Sequence, residues 1–504
     1  MRMTGKVWLV GAGPGDVGLF TLKGKQVLEQ AEVVVYDSLV GDGVLAMVPA
    51  GARLINVGKR AGHHLMKQEM INQVLLEEAQ KGYRVVRLKG GDPFLFGRGG
   101  EELELLSEHG IPYEVVPGVT SCIAVPAYNG IPVTHRDYCS SVHVITGHKK
   151  AGQSYNIDFG ALVRTGGTLV FLMGVTALED ICSNLIKAGM SPSVPAAILQ
   201  QGTTAGQKRI VATVGTLKEE VVRQGILTPA IIVVGGVCEV ADRFEWYEKL
   251  PLAGCKIVVT RPKELISQMA DRLRKQGAEV LELPAIALSP VEDDRKIREC
   301  LEQLEKYQWI AFTSPSGVKI FFEFLKKNGK DIRALGRAKL AAIGKGTKRE
   351  LEARGMYPDL MPEVFDGASL GKKMAECCEE NSRILIPRAA IGNAEIIREL
   401  SVRKDLVVDD VATYETRYEV QSIIDESGAF ERGEITYAVF TSASTVRGFV
   451  HALPGLEYSK VKAVCIGKQT AAQAEEYGMH TYTAKEASID SLVELVIQLA
   501  GEKK

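Results

Sequence analysis

The stretch that decides the fold is Arg87-Leu88-Lys89-Gly90-Gly91-Asp92-Pro93-Phe94-Leu95-Phe96-Gly97-Arg98-Gly99-Gly100-Glu101-Glu102. The residues before it, Tyr83 to Leu88, are β-branched and apolar enough to read as a strand. The strand runs into a loop holding five glycines, one carboxylate, two aromatics and an arginine. Glycines this dense after a strand let backbone come close to a ligand. Asp92 then sits at a strand's carboxyl end, where open α/β sheets bind their ligands.

Outward from this loop, short β-branched runs alternate with amphipathic stretches from residue 6 to 240: Lys6-Val10, Glu32-Tyr36, Val142-Thr146, Thr168-Leu172, Ala196-Leu199 and Ala230-Val234. The alternation predicts an α/β fold with largely parallel sheets. Pro117-Gly118-Val119-Thr120-Ser121 punctuates the middle, and two lobes are expected, about 1–117 and 118–246. A linker is placed at 247–253.

The part from 254 to 504 carries an internal repeat. Ile310-Ala311-Phe312-Thr313-Ser314 matches Ala438-Val439-Phe440-Thr441-Ser442, and Ala342-Ile343-Gly344-Lys345-Gly346-Thr347 matches Cys465-Ile466-Gly467-Lys468-Gln469-Thr470. Val258-Val259-Thr260-Arg261-Pro262 and Leu385-Ile386-Pro387-Arg388 form a third pair. Such duplication predicts two similar α/β lobes, one about 254–285 plus 420–504 and the other about 286–419. Ser314, Thr347, Ser442 and Thr470 would stand at helix starts, where a hydroxyl caps the helix and free N–H groups attract anions.

Bulk composition excludes several classes. The 504 residues are 46% apolar and 24% charged, with a formal net charge of -1. That gives no field for nucleic acid or an anionic membrane, though local cations could still hold a polyanionic small molecule. Nine cysteines without a C-x-x-C pair suit a reducing, cytoplasmic setting. No apolar run is long enough to span a membrane, and the N-terminus shows no signal pattern.

Gly13, Gly15 and Gly18 make a formal G-x-G-x-x-G, with Asp37 at the end of the next strand. Counted from Gly11, where the first strand ends, the sixth position is instead Asp16, which would repel a pyrophosphate. Pro14 removes a donor that a phosphate cradle would use. A plain strand-to-helix turn, a loop for a non-phosphate ligand and an NAD-dependent oxidoreductase all remain open here. Asp37 reads either as a cap or as a general base. Lys59-Arg60-Ala61-Gly62-His63-His64 reads as a basic loop, and its adjacent histidines diverge, so no metal site is expected. His135-Arg136-Asp137 and Thr146-Gly147-His148 are loop polar groups that gain weight only by company.

In order along the chain, Gly11-Ala12-Gly13-Pro14-Gly15-Asp16, Tyr36-Asp37, Gly58-Lys59-Arg60, the 87–102 stretch, Pro117–Ser121, Gly130–Arg136, Thr146–His148, Met173-Gly174, Gln201–Thr204 and Pro229–Gly235 resemble the tetrapyrrole methylase family, in its branch acting on uroporphyrinogen III. Cys122 departs from it, where alanine is common. Residues 254–500 more loosely resemble the uroporphyrinogen-III synthase family, through the repeated turns and Tyr414 in Thr413-Tyr414-Glu415-Thr416.

The resemblance implies two methyl transfers from S-adenosyl-L-methionine to uroporphyrinogen III, giving precorrin-2 and S-adenosyl-L-homocysteine. It further implies closure of hydroxymethylbilane by the second part. Asp37 takes the place of the proton acceptor and Lys59 that of the donor or substrate-carboxylate partner. Pro14, Gly90, Gly91, Asp92, Leu95, Thr120, Ser121, Met173 and Gly202 match cofactor-contact positions. Arg87, Arg98, Arg136 and Arg261 are candidates to hold substrate carboxylates with Ser314, Thr347, Ser442 and Thr470, since the guanidinium fork suits them. Tyr414 is the candidate to help the hydroxyl leave. A homodimer through the methylase part is implied as well. The alternatives are the oxidoreductase, or a methyltransferase with a non-catalytic ligand-binding second half.

Overall fold

The computed structural model describes residues 5–49, 51–58, 66–147, 157–260, 263–283, 285–392, 394–418 and 424–502. Four five-stranded sheets follow one another along the chain. Each is covered on both faces, and the described core divides into eight buried clusters, two per sheet.

The first sheet runs in the order Arg53–Asn56, Val33–Tyr36, Arg84–Lys89, Lys6–Gly11, Tyr113–Val116. All its pairings are parallel. Val33–Tyr36 is buried at every position, as a strand packed on both faces must be. The order sets the ends of Lys6–Gly11 and Arg84–Lys89 side by side at the sheet's centre. The loops Gly11–Gly15 and Gly90–Gly100 therefore emerge together.

The second sheet departs from the parallel expectation. Val142–Thr146 pairs parallel with Thr168–Leu172, but the remaining three pairings, through Ala230–Val234, Pro195–Gln200 and Lys208–Thr213, are antiparallel. For Pro195–Gln200 and Lys208–Thr213 the cause is the short connection 201–207. A parallel return takes a crossover of about a dozen residues or more, whereas a short turn can only reverse the chain.

The third sheet uses Glu279–Leu283, Lys256–Thr260, Tyr437–Phe440, Lys462–Cys465 and His480–Thr483, all parallel. The fourth uses Ile286–Pro290, Val407–Tyr418, Arg383–Ala389, Trp309–Phe312 and Lys339–Ala342, with only the first pairing antiparallel. The repeat is visible in the pairing. Lys256–Thr260 lies beside Tyr437–Phe440 and then Lys462–Cys465, as Arg383–Ala389 lies beside Trp309–Phe312 and then Lys339–Ala342. The helices Pro315–Lys327 and Ala443–Ala452 follow equivalent strands. No described helix is long and apolar enough to cross a membrane.

Candidate functional site

At the carboxyl edge of the first sheet three loops meet backbone to backbone. Gly13 and Gly91 exchange hydrogen bonds, Gly91 N donating to Gly13 O at 2.7 Å and Gly13 N to Gly91 O at 3.2 Å. A Cβ on Gly118 would lie 2.2 Å from Gly91 O, and one on Gly11 2.5 Å from Gly118 Cα. A Cβ on Gly90 would strike the Leu39 side chain at 2.6 Å. These glycines are needed so that loops can touch one another, a different reason from the ligand approach read in the sequence. Gly91 is the exception. It has φ +66°, and a Cβ there would meet only Ser121 N at 3.9 Å, so its face opens toward the start of helix Ser121–Tyr128.

Asp92 stitches the same loops. Its Oδ1 accepts from Phe94 N at 2.8 Å and Leu95 N at 3.1 Å, and its Oδ2 accepts from Gly118 N at 3.0 Å. Asp16 does likewise for the first glycine loop. It caps the turn Val17–Leu19 and accepts from the Tyr128 hydroxyl at 2.7 Å, which is a lobe-to-lobe tie and not a phosphate cradle.

Behind Asp37 lies a cluster of buried charge. Arg87 Nη2 stands 3.4 Å from Asp37 Oδ2, and Arg87 Nε donates to Glu102 Oε1 at 3.1 Å. Lys89 Nζ donates to the same Glu102 oxygen at 2.7 Å. Arg87, Lys89 and Glu102 are all buried. Burial, then the neighbouring Arg87, pushes the Lys89 ammonium below its usual range, against the pull of Glu102 and Asp37. Glu102 Oε2 has no hydrogen-bond partner among the described residues. Two cations thus share one carboxylate, and Arg87 hands part of its charge forward to Asp37.

The second lobe closes over these loops. Leu95 packs with Cys122, Val125 and Leu172. A Cβ on Gly202 would meet Val125 at 2.4 Å, and one on Gly15 would meet Thr204 at 2.7 Å. Thr120 caps helix Ser121–Tyr128. Among the described residues, six non-glycines have positive φ, and five of them lie on these loops: Phe96, Arg98, Met173, Gln201 and Thr203. Backbone held in this region costs about 1–3 kcal/mol per residue and persists where the surroundings impose it, which is a mark of ligand clamps. Met173 is at the same time half exposed, as are Phe94 and Leu39, so the loops present apolar surface.

In the second half the conspicuous contact is neutral. Tyr414 Oη and Ser314 Oγ lie 2.9 Å apart, and Ser314 Oγ also accepts from Gly317 N at 2.9 Å, capping helix Pro315–Lys327. Burial raises the Tyr414 phenol above its usual range, with Ser314 opposing weakly. Ser442 caps Ala443–Ala452 in a reciprocal pair with Thr445.

Two family descriptions match the chain: Tetrapyrrole (Corrin/Porphyrin) Methylases over residues 6–218, and Uroporphyrinogen-III synthase HemD over residues 267–494. A "Porphyrin biosynthesis protein HemD" of Ruminiclostridium josui is 45% identical, across 99% of this chain and 98% of its own. A "Uroporphyrinogen-III C-methyltransferase" of Bacillus subtilis (strain 168) is 37% identical over the same shares. The chain belongs to the tetrapyrrole methylases, fused to a uroporphyrinogen-III synthase. It is an enzyme of tetrapyrrole biosynthesis, and the oxidoreductase alternative falls away. A crystal structure of the Thermus thermophilus uroporphyrin-III C-methyl transferase with S-adenyl homocysteine is 40% identical, covering 47% of this chain and all of its own, with a TM-score of 0.41.

In the methylase half, Pro14, Gly90, Gly91, Asp92, Leu95, Thr120, Ser121, Met173 and Gly202 thus fall on loops linked by the contacts above. Arg87 does not reach the surface. It is committed to Asp37 and Glu102, because a strand buried on both faces leaves a guanidinium no route to solvent. Arg98 is exposed, pairing with Glu101 at 2.9 Å, and Arg136 is exposed in the His135–Cys139 turn. Lys59, His63, His64 and His148 lie outside the described residues.

In the synthase half, Thr347 and Thr470 are buried inside their helices, whose cap positions belong to Gly344 and Gly467. They are therefore not the caps of those helices. Arg261 lies outside the described residues. Sequence reasoning missed Lys89 and Glu102. The available signal was Arg87 and Lys89 at alternate positions of an otherwise apolar strand, on one face, which demands a buried acid nearby. No described cluster of His, Cys, Asp and Glu is placed to hold a metal.

Proposed function

We propose that the methylase half moves methyl groups from S-adenosylmethionine to two ring carbons of uroporphyrinogen III, giving precorrin-2, and that the synthase half supplies that macrocycle by closing hydroxymethylbilane. The observation that carries the first step is Asp37 at the mouth of the interlobe loops, backed by Arg87 at 3.4 Å. A methyl transfer of this kind needs alignment above all, and then a base for the ring proton.

The open face of Gly91 beside Ser121, with the exposed Met173, fits an adenosyl group carrying a sulfonium. Pro14, Gly90, Gly91, Leu95, Thr120, Ser121, Met173 and Gly202 would hold it, and Asp92 would keep their loops in register. S-adenosylmethionine contributes an electrophilic methyl group. Asp37 accepts the proton lost from the ring, and Arg87 at 3.4 Å keeps that carboxylate aimed. Lys59 would return a proton or pair with a substrate carboxylate, while Arg98 and Arg136 would hold others.

In the synthase half, Tyr414 gives its proton to the departing hydroxide, with Ser314 orienting it. The phenol carries its proton at neutral pH, and the Ser314 contact at 2.9 Å fixes where the hydroxyl points. Work in the cytoplasm as a homodimer through the methylase half, without nucleic acid, is part of the same reading, and the net charge of -1 supports the last point. The intact protein with hydroxymethylbilane and S-adenosylmethionine should yield precorrin-2. Asp37→Asn should slow methylation by about 10²-fold or more while ring closure continues. Type I isomer alone, or methylation undiminished by the substitution, would refute the respective half.

A further inference from the structure

The two halves meet at a small, half-buried ion cluster. Lys256 opens strand Lys256–Thr260 and is the cross-strand partner of Glu279, which opens Glu279–Leu283. Its side chain is only 12% exposed and reaches Asp42 Oδ2 at 2.8 Å and Glu279 Oε1 at 3.1 Å. Burial works against its charge, yet Glu279 and Asp42 hold the ammonium above its usual range. The second oxygen of Glu279 accepts from Ala205 N at 2.9 Å. Glu426 faces the same group from helix Glu426–Glu431, with its carboxyl pushed up to about 7, chiefly by burial. Near neutrality, Asp42 and Glu279 are therefore the principal counter-charges of Lys256.

The methylase ends of these bonds are not arbitrary. Asp42 begins the helix just after the Asp37 loop, and Ala205 follows Gly202 in the second lobe. The glycine loop lies between them. A Cβ on Gly41 would come within 2.9 Å of Gly15 O, Gly15 faces Thr203 and Thr204, and Asp16 N donates to Thr203 Oγ1 at 3.2 Å. One Lys–Glu pair of the synthase half thus grips a loop from each methylase lobe, at the outer edge of the stack that carries Pro14, Asp37 and Gly202.

We propose that Lys256 and Glu279 are positioning residues for the methyl-donor cleft, so that the synthase half sets the affinity of the methylase half for S-adenosylmethionine. The inference rests on the reading that the interlobe loops bind this donor. Lys256 opens a strand of the third sheet, whereas Tyr414 and the Ser314 cap belong to the fourth sheet and the helix after it, so ring closure is expected to be unaffected by changing Lys256.

The test is calorimetric titration of S-adenosylmethionine into the full-length protein and its variants. Lys256→Met and Glu279→Gln should each weaken binding by about fivefold or more, and Lys256→Arg by no more than about twofold. Ring closure of hydroxymethylbilane should stay at the wild-type rate in all three. Wild-type affinity in both Lys256→Met and Glu279→Gln overturns the proposal, as does a loss of affinity that comes only with loss of ring closure. Failure of the unaltered protein to bind S-adenosylmethionine would instead overturn the methyl-donor reading beneath it.

Discussion

Asp37 and Tyr414 sit in contrasting surroundings. Behind Asp37 lie Arg87, Lys89 and Glu102, all buried, while Tyr414 meets the Ser314 hydroxyl inside an apolar cluster that includes Phe312, Phe321 and Leu385. The difference suits the proton roles proposed for the two groups. The Asp37 carboxylate has the buried Arg87 guanidinium 3.4 Å behind it, a fixed partner that sets its direction. A buried phenol held by one hydroxyl lies above its usual range through burial, and its single side-chain partner, Ser314, directs it. The loops differ correspondingly. The methylase half seats its charges by packing glycine backbone on glycine backbone, whereas the synthase half repeats a strand, a serine cap and a helix in each lobe.

The most severe way to break the contrast is Glu102→Leu. It leaves Arg87 and Lys89 buried without the carboxylate they share, an arrangement that costs about 3–5 kcal/mol. Urea denaturation should show the loss in the methylase half, with ring closure retained. A change below about 1 kcal/mol would mean that the two cations are not held by Glu102.

Backbone packing gives the next largest effect. Gly118→Ala puts a methyl 2.2 Å from the Gly91 carbonyl, and nothing flexible can move aside. About 2–4 kcal/mol should be lost, within the range of overpacked sites. The control is Gly467→Ala in the synthase half, where the backbone is extended and nothing lies within 4 Å of the added methyl. That change should cost no more than about 1 kcal/mol, the loss expected when alanine replaces glycine at a helix start. Equal costs at the two positions would erase the distinction between the loops.

Tyr414→Phe is milder for stability and sharper for function. It removes one partner of Ser314 Oγ, which still accepts from Gly317 N, so the cost should be about 1 kcal/mol. Ring closure should fall while methylation of supplied uroporphyrinogen III is unchanged. An unaltered closure rate would remove Tyr414 from the chemistry.

The α/β class and the duplicated second half were legible because they rest on periodicity and on repeated short motifs. The antiparallel strands of the second sheet were not, since Lys208–Thr213 mixes charged and apolar residues and its pairing is dictated by the short 201–207 turn. Residue type also left the local partners of side chains unread. Asp92 reads as a cofactor contact, and no motif shows that its carboxylate also ties the loops by accepting from the N–H groups of Phe94, Leu95 and Gly118. Thr347 and Thr470 looked like helix caps, but the glycine ahead of each helix takes that position. A linear motif says which residues share a loop, and only the packed structure says which face inward.

The two arginines of the glycine-rich stretch make the finest form of this test. Read along the chain, Arg87 and Arg98 look alike, two guanidinium groups beside one loop. Arg87 is buried and spends its donors on Glu102 and Asp37, while Arg98 is exposed and holds Glu101 across one helical turn. An exposed pair of this kind contributes roughly 0–1 kcal/mol, because solvent screens it and two long side chains must be ordered. Arg98→Ala should therefore leave the unfolding free energy within about 0.5 kcal/mol. If Arg98 holds a substrate carboxylate, its loss should raise KM for uroporphyrinogen III several-fold while S-adenosylmethionine affinity is unchanged. A KM equal to wild type would leave Arg98 as a surface residue whose strained backbone serves only the turn into its helix.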